Sequence, residues 1–467
     1  MRKYLVMTAL FLIVGFSTPS FGASWTVEKV TDNTEPDVYP LVVSVSSGLM
    51  VAYAHQDPDY EVFFANNFSG SWTSARVTDN NRLDGVTDIA ARYDEQVAHI
   101  AFQWNDVPDR EISYCRGSSS TSWDITRITD DANDDVWASI ALDKSGFVHI
   151  VFKKQIGGDQ EIFYANNVSG SWISEQVTDN ASDDNDPWMA LDNSGNPSIV
   201  YKNGSHLHYT HKTAGIWTSP VSVAGSAGVD SYPFILLDRN NFAHVVFAKS
   251  DGSFNQIYYA NNVTGTWQES KVTSTSYNNI YPTLFVDPHD KMHIAYVAGE
   301  AGDAEIFYAT NAAGVWNSGR VTDNSANDMA QFGRFFTCDA SGVGHIFFYN
   351  SSDGDQEIYH AKSNEALYVA VEEKPISPYS PSITVGPFSS INSPIQYSVP
   401  VLGSVSLKVY DASGSLVKTL ANGLHNAGQY NICWNGTTDS GLRATSGVYF
   451  FRLETSGKIA SAKAILK

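Results

Sequence analysis

The sequence predicts an all-β protein, with a seven-bladed β-propeller over residues 24–363 followed by a small Ig-like β-sandwich over residues 386–467. Three observations carry that expectation. A tryptophan recurs seven times at near-constant spacing, four short strand-like segments fill each interval, and the repeat begins and ends out of phase.

The tryptophans are Trp25, Trp72, Trp123, Trp172, Trp217, Trp267 and Trp316, separated by 47, 51, 49, 45, 50 and 49 residues. A period of this length marks a repeat architecture. A tetrapeptide follows at fixed offset: Val30-Thr31-Asp32-Asn33, Val77-Thr78-Asp79-Asn80, Ile128-Thr129-Asp130-Asp131, Val177-Thr178-Asp179-Asn180 and Val321-Thr322-Asp323-Asn324, with Val272-Thr273 partly kept and Ser222-Val223 in its place once.

Within the third repeat, residues 137–143, 147–154, 160–166 and 171–178 are β-branched and aromatic runs separated by turn residues. Four strands per unit, with no helical period, form a propeller blade. The chain opens on a lone fourth strand at 25–31, and its last repeat stops after a third strand at 357–362. Pairing the two closes a ring and removes the open edges that a solenoid would have to cap.

The recurring Trp and the strand-three pattern Glu161-Ile162-Phe163-Tyr164 read as inter-sheet packing. Five strand-two histidines, His99, His149, His244, His293 and His345, each follow an Asp by five or six residues. A residue repeated in five blades reads as a structural latch, because catalysis needs a unique constellation.

Residues 1–23 read as a signal peptide: Arg2 and Lys3, an apolar run over 4–16, then Ser20-Phe21-Gly22-Ala23. The expected location is therefore secreted, or on the outer surface of the cell. Cys115, Cys338 and Cys433 have no metal-ligand spacing and read as small buried apolar residues. Residues 24–363 hold 44 acidic and 19 basic residues. Such a surface repels phosphate backbones, which argues against nucleic acid and anionic membranes and leaves cations and neutral polar ligands open.

Residues 364–385, with Pro375, Pro378 and Pro381, read as a linker. Beyond it, segments 395–399, 405–410, 416–420, 428–434 and 447–453 read as strands. The runs Val405-Ser406-Leu407-Lys408-Val409-Tyr410-Asp411, Trp434-Asn435-Gly436 and Ser446-Gly447-Val448-Tyr449-Phe450-Phe451-Arg452-Leu453 resemble two related families. These are the Ig-like domain of flagellar hook-capping proteins and the C-terminal sorting domain of type IX secretion substrates. The second resemblance implies secretion machinery as a partner, in a Gram-negative bacterium of Bacteroidota type.

On a four-stranded blade, the loops after strands two and four share one face. That face carries 31 of the 44 acidic residues, among them Asp57, Asp59, Asp106, Asp109, Asp353 and Asp355. Aromatic residues enter strand one there: Tyr39, Trp137, Trp188, Tyr232 and Tyr281. With Asp135, Asp184 and Asp186 they form the candidate ligand site, suited to a glycan or an extracellular protein. Asp134, Asp135, Asp183 and Asp184 are the candidate Ca²⁺ ligands. Thr-Asp-Asn loops also form Asx-turns that satisfy their own backbone. In the fourth repeat His206, His208 and His211 replace the usual strand-three residues, and two of them share a side of the strand.

The turn Ala165-Asn166-Asn167-Val168-Ser169-Gly170-Ser171-Trp172 resembles a degenerate Asp-box of sialidase-type propellers. That family's arginine triad has no counterpart here: the acidic face offers Arg82 and Arg110, and no Arg-Ile-Pro start is present. The leading expectation is a recognition or adhesion protein without catalytic activity. The alternative is a polysaccharide-acting hydrolase or lyase with its acid and base among the loop carboxylates.

Overall fold

The computed structural model describes residues 23–105, 109–118, 123–223, 228–250, 252–300, 303–352, 354–368, 381–385, 393–399, 403–425, 428–455 and 458–466. The leader-like segment 1–22, Asp106 and Asp353 lie outside them. Two compact units result, Met1–Ala370 and Val371–Lys467.

The first unit is the propeller. Its seven sheets follow the sequence order, and each has an antiparallel meander of strands one to four. Blade 1 runs Asp37–Val45, Gly48–Gln56, Tyr60–Asn66 and Thr73–Arg76. Blade 3 runs Asp135–Leu142, Val148–Ile156, Asp159–Asn166 and Ile173–Gln176. Blade 7 takes Trp25–Lys29 as its outer strand, paired antiparallel with Glu357–Ala366. The ring therefore closes as the phase of the repeat requires. Blade 4 departs at its outer edge, where the fourth strand splits into Ile216–Trp217 and Val221–Ser222.

Tryptophan packing links the blades. Each repeated Trp lies beside an aromatic ring of the preceding blade, with centroids 5.2–5.8 Å apart: Trp123 on Phe64, Trp172 on Tyr114, Trp217 on Tyr164, Trp267 on Tyr209, Trp316 on Tyr259, Trp25 on Tyr308 and Trp72 on His360. All seven are steeply inclined, near the edge-to-face geometry that aromatic quadrupoles favour. The strand-two histidines are buried beside the same rings. His99, His149, His244 and His293 each bond a strand-three tyrosine hydroxyl through Nδ1 at 2.5–2.6 Å.

A second set of latches binds the blades on the acidic face. A buried Asp or Asn stands at or next to the start of the first strand in six blades: Asp37, Asp84, Asp135, Asp184, Asp230 and Asn279. Asp328 takes the matching place in the segment before the short first strand of blade 7. In blade 2 Asn80 Nδ2 donates to Asp84 at 2.7 Å, Thr78 Oγ1 donates to Glu61 at 2.5 Å, and the Asn80 amide donates to the other Glu61 oxygen at 2.8 Å. The Thr and Asn of the tetrapeptide thus tie a third-strand Glu to the next blade's Asp. The intervening Asp32, Asp79 and Asp130 are exposed and pair with Lys29, Arg76 and Arg127, each three residues earlier.

Two buried carboxyls that hydrogen-bond each other must share a proton or find a cation. Cations serve at some interfaces: His55 Nδ1 lies 2.6 Å from Asp37, and Lys154 Nζ lies 3.1 Å from Asp135. At another interface both acids are replaced by amides, and Asn279 Nδ2 donates to Gln256 Oε1 at 3.3 Å. Glu161 with Asp184, and Glu61 with Asp84, keep both acids, and at the second pair Arg76 Nη2 lies 2.9 Å from Glu61 Oε1. Burial, with a smaller contribution from Glu61, pushes Asp84 up to about 7.

The second unit is a β-sandwich. Ser382–Val385, Ser393–Val399 and Gly428–Trp434 form one sheet, and Leu416–His425, Gly403–Asp411, Gly447–Thr455 and Lys458–Leu466 form the other. Ser382–Val385 was expected in the linker, but its pairing with Ser393–Val399 makes it a strand of this unit. Its core includes Val405, Leu407, Val409, Trp434, Phe451 and Leu453. Cys115 and Cys338 are buried as expected, whereas Cys433 is exposed.

The latch makes a pH prediction. An unfolded Asp84 titrates near 4, so between about pH 4 and pH 7 the folded chain holds a proton that the unfolded chain releases. Stability from this group is fully present below that window and falls as pH rises through it, by at most about 1.4 kcal/mol per pH unit. Asp84→Asn, which copies the amide solution at Asn279, should flatten that decline. Unfolding midpoints compared at pH 5 and pH 8 check it; an unchanged decline in the variant would contradict the shared proton.

Candidate functional site

The site starts two residues after each latch carboxylate. In six blades the first strand carries one extra residue relative to its neighbour, a β-bulge that starts within four residues of the latch. In five of them a non-glycine residue at the bulge adopts positive φ: Tyr39 at 60°, Trp137 at 61°, Asp186 at 51°, Tyr232 at 55° and Tyr281 at 52°. Left-handed backbone strains such residues by about 1–2 kcal/mol each. The bulge turns these side chains toward the propeller axis.

The four aromatic members line one central cavity of about 520 Å³. Tyr349, Gln103, Thr87, Gln331, Phe332 and Trp188 complete much of its wall. Tyr232 and Tyr281 meet edge-on with centroids 4.6 Å apart, as do Tyr39 and Tyr349 at 5.5 Å. Trp137 and Tyr39 are each 40 % exposed, so both rings face the opening.

Blade 7 closes the channel below this cavity. Its first strand is regular only over Phe336–Cys338, and the preceding residues cross the axis. Phe332 lies 5.3 Å from Trp188, 6.0 Å from Tyr232 and 6.3 Å from Trp137 between ring centroids, and forms the floor. Gly333, at φ +154°, passes so close to Leu41 that a Cβ would stand 2.6 Å from its Cδ2. Beneath, Arg334 Nε lies 3.5 Å from the buried Asp88 carboxylate. Ser139 Oγ and the Ile140 amide also donate to Asp88, at 3.1 and 3.0 Å. The central site is thus a pocket with a floor.

Its rim is asymmetric. Asp186 occupies the bulge position that holds an aromatic ring in four other blades. Burial pushes its carboxyl up, against the charges of Lys202 and Lys153 and a hydrogen bond from the Tyr232 backbone N–H. Lys153 Nζ lies 5.4 Å from the Trp137 ring centroid and donates to Asn185 Oδ1 at 3.0 Å. Burial pulls its ammonium down, while Asp186 opposes that shift.

The expected site residues therefore separate. Tyr39, Trp137, Tyr232 and Tyr281 stand together at the cavity, with Asp186 in the matching place beside them. Trp188 is not their equivalent: it lies two residues further along, is 2 % exposed and packs on Phe234 at 4.7 Å. Counting by the latch aspartate, as in Asp37-Val38-Tyr39 and Asp184-Asn185-Asp186, would have found the correct register. Asp135 and Asp184 are fully buried latch residues, bonded to Lys154 and to Asn180 and Asn203. Burial removes them from a ligand's reach.

The proposed Ca²⁺ ligands do not converge. Asp134 holds Arg110 through both carboxylate oxygens, and Asp183 accepts the Gln160 amide at 3.0 Å. Among the described residues no group of three or more His, Cys, Asp and Glu is arranged to hold a metal ion. His206 turns to Asp230 at 3.3 Å and His211 stacks on Tyr209, so the histidines of blade 4 face different partners. The Asn of the Asp-box-like turn caps strand two: Asn167 Oδ1 accepts the Val148 amide at 2.8 Å.

Fold and cavity together define the class, a seven-bladed β-propeller with an aromatic, floored pocket on its axis. Comparison with known proteins places it as follows. The FlgD Ig-like domain matches residues 400–458. No curated protein matches the chain. Among solved structures, a polysaccharide lyase of family PL25, an ulvan lyase bound to -[GlcA(1-4)Rha3S]-, aligns at TM-score 0.52 and 11 % identity over 71 % of this chain and 95 % of its own. A second structure of a PL25 ulvan lyase gives TM-score 0.52 and 11 % identity, covering 71 % and 94 %. The Aleuria aurantia lectin with α-methyl-L-fucoside aligns at only 0.42 and 12 % identity, over 64 % of this chain and 98 % of the lectin. The ulvan lyase likeness establishes the propeller fold.

Strain at the bulge can be measured directly. Tyr232→Gly and Tyr232→Ala remove the same ring, but only glycine relaxes at φ 55°. The glycine variant should be the more stable by about 1 kcal/mol in urea unfolding. Equal stabilities would contradict a strained bulge.

Proposed function

We propose that the propeller is a glycan-recognition unit whose central cavity seats sugar rings against Trp137, Tyr232 and Tyr281. The observation that carries this reading is the convergence of four strained aromatic side chains on one floored pocket. Backbone strain retained at several equivalent positions points to function rather than packing. Aromatic faces cover the apolar C–H faces of sugars, and the tyrosine hydroxyls, Gln103 and Gln331 supply hydrogen bonds. The volume falls in the range of small-ligand sites. The likeness to the PL25 ulvan lyase bound to the glycan -[GlcA(1-4)Rha3S]- supports the same reading.

A second reading has its own observation. Asp186 is a partly buried carboxyl with a raised pKa at the cavity rim, beside Lys153, as a general acid or base would be in a polysaccharide-acting lyase or hydrolase. Titration of the purified chain with neutral and acidic oligosaccharides, followed by product analysis, separates the two. Recognition predicts binding without turnover and a loss of about tenfold in affinity for Trp137→Ala, equivalent to about 1.4 kcal/mol. Turnover abolished by Asp186→Asn would establish the enzyme. No binding and no turnover across the panel would end both readings.

Export belongs to the same proposal. The leader-like start and the Ig-like unit that resembles sorting domains support a secreted or surface-displayed protein handled by secretion machinery. In a producing cell, removal of residues 386–467 should leave the propeller inside the cell envelope; its undiminished release would contradict a sorting role.

A further inference from the structure

Seven copies of one unit allow each position to be compared with its own repeats. On the second strand, the residue paired with the one that follows the latch is Ala54 in blade 1, Gln103 in blade 2, Ala248 in blade 5 and Val297 in blade 6. Tyr349 takes the same place opposite Met329 in blade 7. In blades 3 and 4 alone the position holds lysine: Lys153 opposite Val136 and Lys202 opposite Asn185. The two lysines are neighbours around the ring, and Asp186 departs from the aromatic series between them. The other blades bring no charged residue to the cavity wall: Tyr232, Tyr281, Tyr349 and Tyr39 come from blades 5, 6, 7 and 1, and Thr87 and Gln103 from blade 2.

The cavity wall itself is aromatic and amide-bearing, and the charged group stands just outside it: Lys153 lies 5.4 Å from the Trp137 ring centroid, and Asp186 is within electrostatic reach of both lysines. Neither lysine has an ion-pair partner within 4 Å among the described residues; Lys153 bonds Asn185, and Asp186 acts on both at longer range. Arg110 stands nearby, with its charge met by Asp134 through two contacts. Asp183 lies on the outer rim, bonded to the Gln160 amide. Asp186 is thus the carboxylate that acts on both ammonium groups, while Asp183 and Asp134 act on Lys153 as well.

This arrangement runs against the charge of the propeller as a whole. The exposed tetrapeptide aspartates further out are paired with Lys29, Arg76 and Arg127. Beyond about 8 Å at physiological ionic strength, the remaining outer carboxylates are largely screened.

We propose that the glycan seated in this cavity is acidic, bearing a carboxylate or sulfate group that Lys153 and Lys202 hold together. This rests on the glycan reading of the same site. The sugar ring stacks on the aromatic side, the anionic substituent faces blades 3 and 4, and Asp186 accepts a hydrogen bond from an adjacent hydroxyl. Two lysines on neighbouring blades span a single anionic group from two directions, which a neutral sugar would leave uncompensated. The feature is built by departure from the repeat, where a symmetric scaffold acquires specificity.

Calorimetric titration of the full chain with three size-matched oligosaccharides tests it: one neutral, one containing uronate, and one neutral in its carbons but sulfated. The uronate or the sulfated ligand should bind more tightly than the neutral one, and its affinity should fall as salt is raised. Lys153→Met with Lys202→Met should cost the acidic ligand about tenfold while leaving neutral binding in place. Retained neutral binding also shows that the variant is folded. Uronate above sulfate, or the reverse, identifies which anion the pair fits. Tighter binding of the neutral ligand, or an acidic affinity that ignores the double substitution, would overturn the proposal while the glycan reading stands. Binding of none of the three would overturn both.

Discussion

The molecule depends on one buried contact repeated around a ring: the carboxyl or amide that opens each inner strand and its partner from the blade before. Asp84 illustrates it, held by Asn80 and hydrogen-bonded to Glu61. The contact joins neighbouring sheets at the end of the strand nearest the axis, where tryptophan packing does not reach. It also fixes where the bulge falls. With Asp37 anchored by Asn33 and His55, Val38 keeps its pairing and Tyr39 must leave the ladder. Latch, bulge and inward ring are one device.

Burying so many carboxyls is costly unless each is neutralised, and the seven interfaces show several answers to the same problem. Hydrogen bonds from Thr178, Asn180 and Asn203 serve Glu161 and Asp184, a cation serves Asp135, and amides serve Gln256 and Asn279. The amide interface shows that the geometry requires hydrogen bonds rather than charge. Much of the acidity that dominates the composition is consequently structural, or is neutralised by a basic residue three positions earlier. The cavity's own charge is set by a few side chains on blades 3 and 4.

The ring was legible in the sequence because its determinants are local and repeated. Trp spacing, turn residues and the displaced phase each report on a single blade, and closure follows from them. The aromatic rim was legible for the same reason: Tyr39, Trp137 and Tyr281 keep a fixed offset from the tetrapeptide, and Tyr232 follows Asp230 as Tyr39 follows Asp37. Trp188 was placed on the rim because it is the nearest aromatic residue, whereas the bulge selects by distance from the latch and so selects Asp186. Asp135 and Asp184 resembled ligands because a sequence does not show that a loop carboxylate is enclosed. Phe332 belongs to the one inner strand that abandons the repeat. Lys153 and Lys202 sit on ordinary alternating strands, and only the assembled ring brings both within electrostatic reach of Asp186.

The account holds that the strained axial pocket is where this protein meets its ligand. The most direct measurement is a structure of the full chain with an acidic oligosaccharide bound. The predicted result is a sugar ring against Trp137 and Tyr232 above Phe332, with its anionic group toward Lys153 and Lys202. A sugar seated in the outer loops, on the opposite face or on the Ig-like unit, with the axial pocket unchanged, would contradict it.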